Sequence, residues 1–185
     1  MISHYHYDTK VFPFIIPVQE MIGEINLPSL HERMDIVLLD RDKDQSTELH
    51  KRFYSHFHDK TPEWEEFMKI YIPFVEPICE ELGYENPLYQ TIPTFRVHAP
   101  GGKAVGEWHV DSDYNHSRHE WNIFLPFTDA YDTSTIFVEY PDDNITNLEA
   151  EYGEYYLWKG SVIKHGNVQN TTGQTRVSLD FRVVD

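Results

Sequence analysis

The hydrophobic pattern of this chain changes its period near residue 93. Upstream, Trp64, Phe67, Met68, Tyr71, Val75, Ile78 and Leu82 recur three or four positions apart, the spacing of one helix face. Thr61 stands where an N-cap belongs, Pro62 suits the first helical position, and Gly83 supplies a stop. Pro73 and Pro77 fall inside this pattern and predict a kink or a break near residue 73, because a proline nitrogen donates no hydrogen bond. A shorter helix is expected from about Ser46 to His58. Residues 11 to 18 and 35 to 39 (DIVLL) read as short strands, the second fully buried by its run of branched apolar residues.

Downstream the segments alternate: TFRVH (94 to 98), GEWHVD (106 to 111), EWNIFLPF (120 to 127), STIFVEY (134 to 140), YGEYYLW (152 to 158), SVIKHG (161 to 166) and TRVSLDFRVV (175 to 184). APGG, SDYNHS, PDDN, KG and NTTGQ divide them with turn chemistry. Many short strands at this spacing predict a barrel or jelly roll. In the last strand Arg176, Ser178, Asp180 and Arg182 share one face, and Val177, Leu179, Phe181 and Val183 the other. Thr94, Arg96 and His98 stand likewise opposite Phe95 and Val97. An edge strand half in water gives the same split. The expected fold is mainly β with flanking helices (α+β): a cupin-like jelly-roll core in residues 94 to 185, with the mixed segment 1 to 93 packed outside it, in one domain.

Charge and cysteine usage narrow the classes. Fifteen basic against 31 acidic side chains give a net charge of −16 over 185 residues, which repels nucleic-acid phosphates and anionic membrane surfaces. Acidic solubility alone also accounts for that charge. The single cysteine, Cys79, excludes an intramolecular disulfide and any cysteine-based zinc or iron–sulfur framework. MISHYHYDTK lacks a basic region followed by an apolar one, and VFPFIIPV is too short to span a bilayer. A cytoplasmic protein acting on a small molecule is expected.

The chemistry gathers downstream. In an extended segment His109 and Asp111 project from one face. Alone the pair is weak, since His6-Tyr7-Asp8 matches it in what reads as a frayed terminus, and His4/His6, His56/His58 and His116/His119 read as solvated histidines. The pair gains weight from His165 in KHGNVQN and Arg176 eleven residues later. Two neutral imidazoles and one carboxylate on one side of Fe(II) leave three positions for a bidentate cosubstrate and O2. Arg176 offers the guanidinium fork that the far carboxylate of a dicarboxylate cosubstrate needs, and Ser178 on the same face offers another donor.

His109-x-Asp111, His165 and Arg176-x-Ser178 resemble the iron(II)/2-oxoglutarate-dependent oxygenases of the double-stranded β-helix fold, over roughly the C-terminal half of the chain. APGG, NIFLPFTDA and HGNVQNTTGQTRVSLDFRV look most like a small bacterial and phage branch related to a streptomycin-biosynthesis protein. The resemblance implies His109, Asp111 and His165 as iron ligands, with Arg176 and Ser178 anchoring the distal carboxylate of 2-oxoglutarate. Asp113 is the rival to Asp111, set aside because the spacing to His109 matches the family at Asp111 and SDYN reads as a turn. RVHAPG and RVSLDFR are similar to the DNA-alkylation-repair branch and imply that Arg96, His98 and Arg182 also face the cosubstrate, although that branch has an asparagine and an aromatic in place of Arg96 and His98.

Glu139, Tyr114 and Asn122 are the candidate substrate contacts. An inward Glu139, sharing a face with Thr135 and Phe137, suits an amine or guanidinium; an outward strand charge is the competing reading. The implied activity is hydroxylation of an unactivated C–H bond in a small metabolite, with 2-oxoglutarate consumed to succinate. Two alternatives stand beside it. One is a noncatalytic cupin-like module binding a metal or a sugar, which has no need of Arg176 with Ser178. The other is a nucleic-acid demethylase of the same superfamily, which the net charge disfavours.

Overall fold

A computed structural model describes residues 2–33, 47–104, 107–140, 142 and 144–185. Residues 35 to 39, read above as a strand, lie outside the described residues. Two antiparallel sheets and a helical layer form the architecture. In the larger sheet β1 (Ile2–His6), β7 (Glu154–Trp158), β4 (Trp121–Pro126) and β9 (Arg176–Val184) pair in that order. The far edge of β9 is met by β3 (Thr94–His98) and then by β2 (Leu88–Tyr89). The smaller sheet runs β6 (Ile145–Asn147), β5 (Phe137–Glu139), β8 (Lys164–Gly166).

The alternation in β9 is therefore that of a central strand. Its apolar set, Val177, Leu179, Phe181 and Val183, is fully buried under the helices α1 (Ile15–Ile22), α3 (Glu48–Asp59) and α4 (Pro62–Glu81). A short α2 (Leu30–Arg33) lies between α1 and α3 in sequence. Phe95 of β3 stacks on Phe53 of α3 with centroids 4.4 Å apart, and both rings are 0% exposed. Burial of such a ring contributes about 1.5–3 kcal/mol. The opposite face of the sheet looks toward the smaller sheet, where Phe124 and Trp158 join Ile136, Val138 and Ile163 in a second apolar cluster.

Three expectations change. Residues 11 to 18 are not a strand: Phe14, Pro17, Val18, Met21 and Ile22 are buried at helical spacing, and Pro17 falls in the first turn, where its missing donor costs little. α4 continues through Pro73 and Pro77 as one helix of 20 residues, capped by the Thr61 hydroxyl, which accepts from Trp64 N. The N-terminus is not frayed, since β1 pairs with β7 over all five of its residues. The helix expected from about Ser46 is α3, whose N-cap Thr47 accepts from His50 N.

Replacing Phe95 with Ala is expected to lower the unfolding free energy by about 3–5 kcal/mol in urea titrations. A loss below about 1 kcal/mol would contradict the packing of the helical layer on β3.

Candidate metal centre

Val110 is extended (φ −115°, ψ 131°), so His109 and Asp111 project from one side of the segment. A second stretch runs antiparallel to it. His109 N donates to His165 O and His165 N donates to His109 O, both at 2.9 Å, and Asp111 N donates to Gly160 O at 3.0 Å. Residues paired in this way share a face of the ladder, which brings the imidazoles to 4.3 Å between ring centroids. Asp111 Oδ1 lies 3.3 Å from His109 Nε2 and 3.5 Å from His165 Nε2. One ligand atom from each residue lies within 4.8 Å of the others. Residues 107 to 111 thus make a single ladder contact rather than a strand, and Asp111 opens a 3-10 turn ending at Tyr114.

Each ring nitrogen has an assigned task. His109 Nδ1 donates to Glu107 O at 2.8 Å and His165 Nδ1 donates to Ile163 O at 3.0 Å. That tautomer leaves both Nε2 lone pairs facing Asp111 Oδ1, the arrangement a cation requires. The other carboxylate oxygen is held from behind: Asp111 Oδ2 accepts from Asn122 Nδ2 at 2.7 Å and from Arg182 Nη2 at 3.2 Å. Gly160 makes room for this grip, because a Cβ there would lie 2.6 Å from Asn122 Nδ2 and 2.9 Å from Asp111 Oδ2.

Burial presses the Asp111 pKa upward, yet His109, Arg182, Asn122 and His165 together outweigh it and hold the carboxyl well below the usual range. Burial pushes His165 down to about 4, against the opposing pull of the Ile163 carbonyl and Asp111. At neutral pH the trio therefore offers a carboxylate and an uncharged His165.

The trio stands on the wall of a small cavity, partly open to solvent, which Arg176 also lines. Arg176 is 2% exposed, donates from Nη1 to Ser134 O at 2.9 Å, and lies over the Phe124 ring. Arg96, Arg182 and Asn122 line the same cavity; Arg96 Nε donates to Asp180 Oδ2 at 3.1 Å. Ser178 is fully buried beside them, its hydroxyl without a hydrogen-bond partner among the described residues.

Other candidates stand elsewhere. His98 does not line the cavity: it is buried beside Arg176 and contacts the Gly102 and Ser134 carbonyls. Burial and the Arg176 charge push it down to about 4. Glu139 pairs with Lys164 Nζ at 2.7 Å and does not line the cavity, while Ile136, just before β5, lines it and Val138 is buried, which matches the outward reading of Glu139. Tyr114 is an exposed ring set edge-on to His109. Asn122 lines the cavity with its amide donating to Asp111 Oδ2. Asp113 is exposed.

Trp158, Gly160 and Asn167 escaped the sequence reading, and Asp180 was placed on the polar face of the last strand without a role. Trp158 is buried with its ring 4.5 Å from His165, perpendicular to it, and its Nε1 has no partner among the described residues. The available signal was the Lys159-Gly160 turn after YYLW, which divides Trp158 from the segment that carries His165.

No family model matches the chain. Over 180 residues it is 37% identical to the streptomycin biosynthesis protein StrG of Streptomyces griseus, a match covering 96% of this chain and 82% of that protein. The fold is similar to that of the non-haem monooxygenase ThoJ, solved as a nickel complex (TM-score 0.57, 10% identity, 99% of this chain and 73% of the other). It is similar also to the non-haem alpha-ketoglutarate-dependent carbocyclase SnoK from nogalamycin biosynthesis (TM-score 0.56, 13% identity, 100% and 80%). These likenesses establish a double-stranded β-helix fold.

The buried neutral histidines give the metal-free protein a signature in pH. His98 and His165 take up protons near 6.5 when unfolded but only near 4 when folded, so the unfolded state gains protons first as pH falls. Their contribution is present above 6.5 and is lost between 6.5 and 4. Denaturant midpoints are expected to fall across that window, and His98→Gln to flatten part of the decline. An unchanged slope in that variant would contradict the burial of a neutral His98.

Proposed function

The chain belongs to the family of the streptomycin biosynthesis protein StrG, and from that premise we propose that it is a non-haem Fe(II)/2-oxoglutarate-dependent dioxygenase hydroxylating an unactivated C–H bond of a small, amine- or guanidine-bearing metabolite. One joint observation supports the reading most: three metal-ligand atoms within 4.8 Å of one another, and the buried Arg176 guanidinium on the wall of the same cavity.

The residues present fit the group. Two imidazoles with free Nε2 lone pairs and one carboxylate oxygen converge on one point and would hold a divalent metal with positions left for a cosubstrate. Polar atoms buried without a partner among the described residues gather on this face of the sheet, among them Asn122 Oδ1, Trp158 Nε1, Ser178 Oγ and Asp180 Oδ1. A wall left so unsatisfied suits a polar ligand or ordered water, since each such atom costs about 1–3 kcal/mol otherwise. A simple metal-binding module has no use for Arg176 in that wall.

An iron centre of this kind supplies oxidative decarboxylation of 2-oxoglutarate coupled to oxygenation of a C–H bond. The chain's own side chains bind and orient. His109 Nε2, Asp111 Oδ1 and His165 Nε2 would hold the metal, while Arg182 and Asn122 keep Asp111 Oδ2 turned back so that Oδ1 faces forward. Arg176 pairs with the far carboxylate of the dicarboxylate, beside the Ser178 hydroxyl. Ile136 and Trp158 present apolar surface near the ligands, which restricts water there. Glu107, lining the cavity, replaces Glu139 as the acidic group able to meet an amine. The relative's part in streptomycin biosynthesis supports a small metabolite over a macromolecule as substrate.

Anaerobic titration tests the assignment. Wild-type protein with Fe(II) and 2-oxoglutarate is expected to develop a metal-to-ligand charge-transfer band. Asp111→Ala should abolish it. Arg176→Lys should keep metal affinity and raise the 2-oxoglutarate requirement about tenfold, the worth of one charge-assisted hydrogen bond. A full band in Asp111→Ala would discard the ligand set, and an unchanged requirement in Arg176→Lys would discard the anchor.

A further inference from the structure

The inner face of β9 holds a row of charges that the functional reading uses only at its ends. Arg176 and Arg182 stand roughly 20 Å apart at ~3.3 Å per residue, with Ser178 and Asp180 between them. Arg96 enters from β3, where its backbone lies opposite Ser178. Its side chain leans one pair further along, and Nε donates to Asp180 Oδ2 at 3.1 Å. The lean takes the guanidinium away from Arg176 and toward the end of the strand where Arg182 holds Asp111. Arg96 and Asp180 both line the cavity, with side chains 18% and 27% exposed.

Resting on the proposed 2-oxoglutarate chemistry, we infer that Asp180 is a positioning residue: it aims Arg96 at the carboxylate of the 2-oxo acid that meets the metal, so that a guanidinium grips the cosubstrate at each end. Three guanidinium groups share this wall, and a carboxylate among them offsets their repulsion where a ligand anion has yet to arrive. A guanidinium is a rigid fork with five donors, so one bond through Nε sets the plane in which the others lie. Asp180 thereby converts a long, rotatable side chain into an oriented one before the ligand binds, which reduces the ordering cost of binding.

The near-end assignment separates Asp180 from Arg176 by ligand as well as by variant. Calorimetric titrations use Zn(II)-loaded protein, so that no turnover intervenes, with 2-oxoglutarate and with 2-oxobutanoate, which keeps the chelating end but lacks the far carboxylate. Asp180→Asn is expected to weaken both ligands by the same factor, about tenfold, with Zn(II) affinity unchanged; Asp180→Glu should recover part of the loss for both. Arg176→Lys should weaken 2-oxoglutarate alone. Equal affinities in wild type and Asp180→Asn, or a loss confined to 2-oxoglutarate, would overturn the inference, whatever happens to the thermal midpoint. If Asp180→Asn does not fold, Asp180→Glu with unchanged affinity for both ligands overturns it equally. Wild-type protein that binds Zn(II) but neither acid would instead overturn the functional reading, and this inference with it.

Discussion

His109 and His165 exchange two backbone hydrogen bonds of 2.9 Å, and the geometry of the site follows from that exchange. The partners come from segments far apart in sequence, and as directly opposed residues of an antiparallel pair they put both side chains on one face, close together. Once the pair is set, the extended Val110 carries Asp111 onto the same side, and Asp111 N closes on Gly160 O. A slip of one residue would turn either imidazole to the opposite face. Gly160 protects the register from the other side, because any side chain there would displace Asn122 from Asp111.

The larger sheet supports this arrangement by having two unlike faces. Val177, Leu179, Phe181 and Val183 anchor it to the helices, and the alternating partners Arg176, Ser178, Asp180 and Arg182 build the chemical wall. Helical packing thus sets the position of the guanidinium groups within the sheet, and their pairing with Asp111, Asp180 and the Ser134 carbonyl sets their orientation. A chain of net charge −16 concentrates positive groups where its proposed cosubstrate is a dianion. Complementarity in so confined a place outweighs the overall charge, because interactions there are screened far less than on the surface.

The shared side of His109 and Asp111 and the polar face of β9 were readable because period two is a local property, visible in HVD and RVSLDFR. The helices α3 and α4 were readable from caps and spacing, and α4 ran through its two prolines because its apolar face is buried along its whole length. What failed was phase or partnership. VFPFIIPV suits either period while it is short, and only its continuation into Met21 and Ile22 reveals the helix. Both faces stayed open for Glu139 because β5 is three residues long, too short for alternation to fix its phase. The support given to Asp111 by Asn122, Arg182 and Gly160 depends on the pairing of β4 with β7 and β9, a long-range fact that no local pattern states. The N-terminal histidines looked solvated in isolation; His4 in fact stacks on Tyr156 across the β1–β7 ladder.

X-ray absorption fine structure of the Fe(II)-loaded protein, recorded without oxygen, tests the central claim most directly. The expected spectrum has a first shell of nitrogen and oxygen at about 2.1 Å with the outer-shell scattering of two imidazoles, and one imidazole fewer when His165 is replaced by Ala. A spectrum without imidazole scattering, or one that His165→Ala leaves unchanged, would contradict it.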